Sequence, residues 1–238
     1  MTKKNWLNIA FLLIVIPALL IVCDRFGNRF GTHYYYWFSL AIVVITMFQF
    51  FYSFEKRRPQ AREMVILAVL CALAVASRAA FVWAPAFKPT CGIVLIAGIA
   101  FGAESGFLVG SVTALASNFL FGQGPWTPWQ MFAFGITGII GAIVFRGKKY
   151  SHNRWILGIV GYLTIQLIAG PILDTWSLLA IPDGQSQSVW AVYLAGIPYN
   201  AIHGLAVALL LIIAGPALLY KLERIQKKYG MMEAGHEF

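Results

Sequence analysis

Apolar residues run along the chain in eight stretches, at about 6–22, 34–54, 63–84, 91–103, 106–121, 128–145, 155–179 and 189–220. Periodicity says little here, because most of these stretches are apolar on every face, as helices in a bilayer are. Length and flanking charge decide instead. A membrane span takes about 20 helical residues, so 91–121 is long for one span and short for two. Counting it as two, with the amino terminus inside, places Lys3, Lys4, Lys56, Arg57, Arg58, Arg62, Arg146, Lys148, Lys149, Arg154, Lys221, Arg224, Lys227 and Lys228 on the cytoplasmic side. That is 14 of the 18 basic residues. Arg25, Arg29 and Lys88 fall outside, and Arg78 lies within a span. Counting one span would send Arg146, Lys148, Lys149 and Arg154 outside, against the bias of basic residues toward cytoplasmic loops. The pattern predicts an all-α integral membrane protein of eight spans, with both termini cytoplasmic.

The charged stretch from Glu55 to Arg62 divides the chain. Residues 1–54 hold two plain helices. Residues 61–228 hold six segments with Gly, Pro, Asn and Gln set in or beside them, and 229–238 form a tail. Lys3 and Lys4 ahead of Trp6–Val22 resemble a signal peptide. No small-x-small cleavage site follows, so the segment reads as a retained helix.

Composition removes the soluble alternatives. Hydrophobic residues make up 60% of the 238 and charged residues 11%, against about 45–50% and about 25% in soluble domains. The mean hydropathy is +0.74. The net charge of +9 is accounted for by cytoplasmic loops and needs no nucleic acid. Of the three cysteines, Cys71 falls inside an apolar run, which leaves Cys23 and Cys91 as the pair that could meet. No P-loop, HExxH or Gly-x-Ser-x-Gly occurs, and no Cys or His cluster has metal-ligand spacing. ATP binding through a P-loop is excluded.

Four features could carry function. Ala68, Ala72 and Ala76 form a smooth stripe at helical spacing, suited to close approach by another helix, internal or from a partner. Gly98, Gly102, Gly106 and Gly110 continue such spacing around a turn at Glu104 and point to internal packing. The run from Asn118 to Gln130 (Asn-Phe-Leu-Phe-Gly-Gln-Gly-Pro-Trp-Thr-Pro-Trp-Gln) stops helix formation at its Gly and Pro residues. An interfacial aromatic belt would explain Trp126 and Trp129. Asn118, Gln123, Thr127 and Gln130 add donors and acceptors that suit a polar, partly aromatic small molecule. Finally, Arg78 at membrane depth needs a cavity or a carboxylate, and Asp174 is a candidate partner. Pro198 is expected to break the last long helix, with Asn200 and His203 on one face beyond it. That segment is either a kinked helix with a satisfied histidine or a cavity wall.

The segments Lys88–Gly110 and Asn118–Met131 resemble the substrate-binding S components of bacterial energy-coupling factor (ECF) vitamin transporters. The resemblance covers about 61–228, and the Gly-Gln-Gly-Pro-Trp-Thr-Pro-Trp-Gln-Met run is its most specific part. It implies a six-helix bundle, here preceded by two extra helices, in a bacterial cytoplasmic membrane. It also implies vitamin binding from outside, and docking on a membrane T component coupled to two ATPase subunits. ATP and magnesium then belong to those partners, and this chain is not an enzyme and holds no permanent cofactor or metal. Ala68, Ala72 and Ala76 match the stripe that faces the T component. Within the family the chain most resembles the cobalamin-specific S components, which makes cobalamin or a related corrinoid the expected substrate. The expected site is Asn118, Gln123, Trp126, Thr127, Trp129 and Gln130, then Arg78, Lys88, Asp174, Tyr199 and Asn200. His203 is expected to lie too deep to reach a corrinoid cobalt. The alternatives are another heterocyclic vitamin, an intramembrane enzyme using Asp174 and His203, or an assembly subunit without a ligand.

Overall fold

The computed structural model describes residues 33–56, 59–181 and 188–230. The helix expected at 6–22, Cys23 and most of the tail lie outside them. Among the described residues the chain is helical, without strands. The helices are α1 (His33–Lys56), α2 (Ala61–Ala80), α3 (Thr90–Phe101), α4 (Ala103–Phe121), α5 (Thr127–Phe145), α6 (Arg154–Leu179) and α7 (Val189–Tyr229).

The centre of the bundle is α3. Eleven of its 12 residues are buried. Ile93, Val94, Leu95 and Ile96 meet Leu67 and Ala74 of α2, Phe134 of α5 and Leu211 of α7 in one core. At 1.5 Å per residue α3 is about 18 Å long, well short of the roughly 30 Å hydrocarbon core. This corrects the expectation of eight full spans. Helices α2, α5, α6 and α7 are long and apolar enough to cross. Because α3 is sheathed by other helices, its length need not match the bilayer. The reversal inferred within 91–121 is present: the helix breaks at Gly102, where φ is +95°, and α4 folds back along α3.

Glycines set that packing. A methyl group added at Gly98 would run into the Gly138 carbonyl, and one at Gly106 would lie 2.6 Å from the Gly98 Cα. A methyl at Gly110 would strike the backbone of Phe134. The glycine series is therefore internal packing, as expected, and Gly135, Gly138 and Gly141 of α5 answer it. Helices α6 and α7 pair in the same manner, with Gly158 against Ile212 and Gly170 against Asn200. A π turn at Ile165–Ala169 interrupts α6. One extra residue there turns the following segment by about 100° relative to a regular helix. Pro198 does not break α7, which runs unbroken from Val189 to Tyr229 with Pro198 and Pro216 inside. Each proline removes one backbone donor. Ending the helix inside a bilayer would strand several more polar groups.

Helix α1 lies on α4 and α5 through Val43, Met47 and Phe50. The Phe50 ring stacks on Phe107 at 4.4 Å, and the Ser53 hydroxyl donates to Glu104. The two ends of the bundle differ in chemistry. Ser105 bonded to Glu63, Gln226 bonded to the Ala100 carbonyl, and the His152–Glu223 pair gather one set of termini together. Arg62, Arg146, Lys148, Lys149, Arg154, Lys221, Arg224, Lys227 and Lys228 belong to this basic end. The expected site residues sit at the far end.

Candidate functional site

The far end is organised by one amide. Asn118, in the last turn of α4, is buried. Its Oδ1 accepts from Arg78 Nη1 (2.9 Å), and its Nδ2 donates to Thr127 Oγ1 (3.1 Å) and Gln130 Oε1 (2.7 Å). Arg78 Nη1 also donates to the Ser117 hydroxyl. Thr127 donates to Gln123 Oε1 (2.9 Å) and accepts from the Gly124 N–H (3.2 Å). Gln123 Nε2 caps the Leu115 carbonyl (3.1 Å). The Gly122 φ of +103° lets the chain leave α4 and turn into α5 across this network. Three helices, α2, α4 and α5, are tied by hydrogen bonds among which three side chains are buried, Ser117, Asn118 and Thr127.

On the other side stand Asp174 and Asn200. Asn200 Nδ2 donates to Asp174 Oδ2 (2.8 Å), and Gly196 leaves room for the carboxylate. The Tyr199 hydroxyl donates to the Pro85 carbonyl (2.9 Å) and pins α7 to the α2–α3 connection. Lys88, on that connection, donates to the Phe81 carbonyl (2.6 Å). Partial burial, and then the nearby Arg78 charge, hold its ammonium pKa below the ordinary lysine value. Arg78 and Lys88 both stand over the Phe121 ring, at 4.8 and 5.8 Å from its centroid. Among the described residues no three His, Cys, Asp or Glu side chains are placed to hold a metal.

Hydrogen-bonding side chains from α2, α4, α5, α6 and α7 thus gather at one end of an apolar bundle, with no nucleophile–base pair among them. The arrangement can hold a molecule. The family model described as "ECF-type riboflavin transporter, S component" matches residues 59–221. The chain belongs to this family. It is a membrane transporter subunit that binds substrate, and not an enzyme. No curated protein and no solved structure matches it.

Not all of the expected site residues of this S component face the open end. Trp126 and Gln123 are exposed there, and Gln130, Arg78 and Lys88 partly so. Asn118 and Thr127 are buried and spend their hydrogen-bonding capacity on their neighbours, so they brace the site. Trp129 is buried against α1 with Val43, Met47 and Phe50 and does not reach the open end. It occupies an inward position of α5, which the sequence pattern alone did not separate from that of Trp126. The expected Arg78–Asp174 pair is not formed: Arg78 bonds to Ser117 and Asn118, and Asp174 to Asn200. Asn200 and His203 do share a buried face of α7, one step apart. Among the described residues His203 Nε2 has no hydrogen-bond partner, so within them the histidine is buried but not satisfied. Sequence reasoning missed Ser117 and Phe121. The depth of Arg78 called for acceptors and an apolar ledge, and both were present in the Ser117-to-Phe121 run. Ala68, Ala72 and Ala76 are exposed, with Val65, Val69 and Leu73 beside them, along one face of α2.

Proposed function

We propose that this S component binds cobalamin or a related corrinoid at the far end, which is the outer face. The substrate is then delivered by docking on a T component coupled to two ATPase subunits. The observation that carries this reading is the open end built from Gln123, Trp126, Gln130, Arg78, Lys88, Asp174 and Tyr199, on four helices and two connections. Such a gathering of amides and an indole suits a ligand whose rim carries amides. The basic end is cytoplasmic by the charge rule, which puts the site outside, in a bacterial cytoplasmic membrane. The exposed stripe of Ala68, Ala72 and Ala76 is the T-component face, since small residues let a partner helix approach closely. The two amino-terminal helices are an addition to a six-helix unit at 61–228.

Riboflavin is the second reading, favoured by the description of the matched family. The test is to identify what leaves the detergent-purified protein on denaturation, by absorbance and mass spectrometry. The emptied protein is then titrated with cobalamin and with riboflavin. Near one corrinoid per chain, with tight rebinding weakened by Trp126→Ala, supports the first reading. Flavin in its place supports the second. No ligand and no binding across a vitamin panel overturns both.

A further inference from the structure

Two cations at the far end have no carboxylate partner among the described residues. Arg78 uses only Nη1, toward Ser117 and Asn118. Its Nε–H and both Nη2 protons, three of the five guanidinium donors, have no protein acceptor among those residues. Lys88 gives one bond, to the Phe81 carbonyl, and keeps two ammonium protons. Asp174, on α6, is engaged by Asn200. The two cations are also concentrated: both lie over the single Phe121 ring. Like charges repel, and after partial burial the Arg78 charge is a cause that lowers the Lys88 ammonium pKa. An anion bound by both offsets that repulsion.

We propose that Arg78 and Lys88 form an anion subsite of the substrate site, which takes a phosphate carried by the transported vitamin. This inference rests on the substrate-binding reading above. The guanidinium offers a planar fork for two phosphate oxygens and the ammonium offers a point charge, and both stand over the Phe121 ring. Cobalamin meets the requirement through the phosphodiester of its nucleotide loop. Riboflavin has no anionic group, whereas its phosphate ester, FMN, does. A phospholipid headgroup offers the same chemistry from the other source, and the test separates the two.

The full chain in detergent is titrated by calorimetry with two ligand pairs, cobinamide phosphate against cobinamide and FMN against riboflavin. Within the pair that the protein binds, the phosphate-bearing member is expected to bind about tenfold more tightly at low salt. The preference falls to near one in Lys88→Gln and survives in Lys88→Arg. Arg78→Gln also removes a brace of Asn118, so Lys88→Gln is the deciding variant. Equal affinities in the wild type, or a preference that persists in Lys88→Gln, overturn the proposal. So does a Lys88→Gln protein that retains less phosphatidylglycerol from nanodiscs but keeps the ligand preference, because the headgroup is then the anion. A wild type that binds none of the four ligands overturns the substrate-binding reading itself, and this inference with it.

Discussion

Replacing Asn118 by alanine should damage the far end more than any other single truncation there. The side chain is buried and makes three hydrogen bonds, to Arg78, Thr127 and Gln130. A neutral hydrogen bond contributes about 1 kcal/mol net, and one to a charged group roughly 1.5–3. Two neutral bonds and one charged bond then sum to about 3–5 kcal/mol, if no water fills the gap. Gln123→Ala is the control. It loses bonds to Thr127 and the Leu115 carbonyl, but Gln123 is exposed and water replaces them, so the expected loss is below about 1 kcal/mol. Thermal unfolding in detergent, followed by tryptophan fluorescence, should show Asn118→Ala melting on the order of 10 °C lower and Gln123→Ala close to wild type. Hydrogen exchange should rise at 122–127 in the first variant. Equal melting points for the two variants would refute the account of Asn118 as the hub.

Other substitutions separate packing from binding. Gly138→Ala drives a methyl into the backbone of Gly106 and should cost about 1–3 kcal/mol or more. Gly215→Ala meets side chains alone, Leu157 at 3.3 Å and Leu211 at 3.8 Å, and should melt much nearer wild type. Trp129→Ala empties the contact with α1 and should cost about 3–5 kcal/mol, leaving affinity for the vitamin largely unchanged in calorimetry. Ala72→Trp should leave vitamin binding intact and abolish co-purification with the T component and ATPases. In Arg78→Gln, one of the causes lowering the Lys88 pKa disappears. Its ammonium should then stay charged to a higher pH, read from the pH titration of isotope-labelled methyl groups placed on the lysines.

The helices were legible because membrane spans announce themselves by length and flanking charge. Seven of the eight apolar stretches fall on described helices to within a few residues at most ends, and the eighth lies outside the described residues. Span number was less legible, since hydropathy measures apolarity and not whether lipid or protein supplies the surroundings. Helix α3 is the most thoroughly buried helix and also among the shortest. Flanking charge gave the clue to the reversal, and Gly98 of α3 and Gly106 of α4 lie on either side of the turn at Gly102. The π turn in α6 left no comparable mark in Ile165-Gln-Leu-Ile-Ala169, which reads as ordinary helix.

The site was legible as an inventory and not as an arrangement, and the difference is one of valence. Asn, Gln and Thr in a turn declare donors and acceptors, but a sequence does not show which of them are spent on each other. The structure allows that subtraction. Asn118 presents one carbonyl and two N–H groups, and each has a partner. Thr127 both donates and accepts. A ligand bound at that end would meet what remains: the Trp126 face, the outward edges of Gln123 and Gln130, the Tyr199 ring, Asp174 Oδ1, three Arg78 donors and two of Lys88. Two of these groups carry positive charge and Asp174 carries the opposing carboxylate, although the turn itself contains no charged residue. Arg78 lies forty residues before Asn118, and only the fold brings its charge to the amide turn that a sequence reader would notice first.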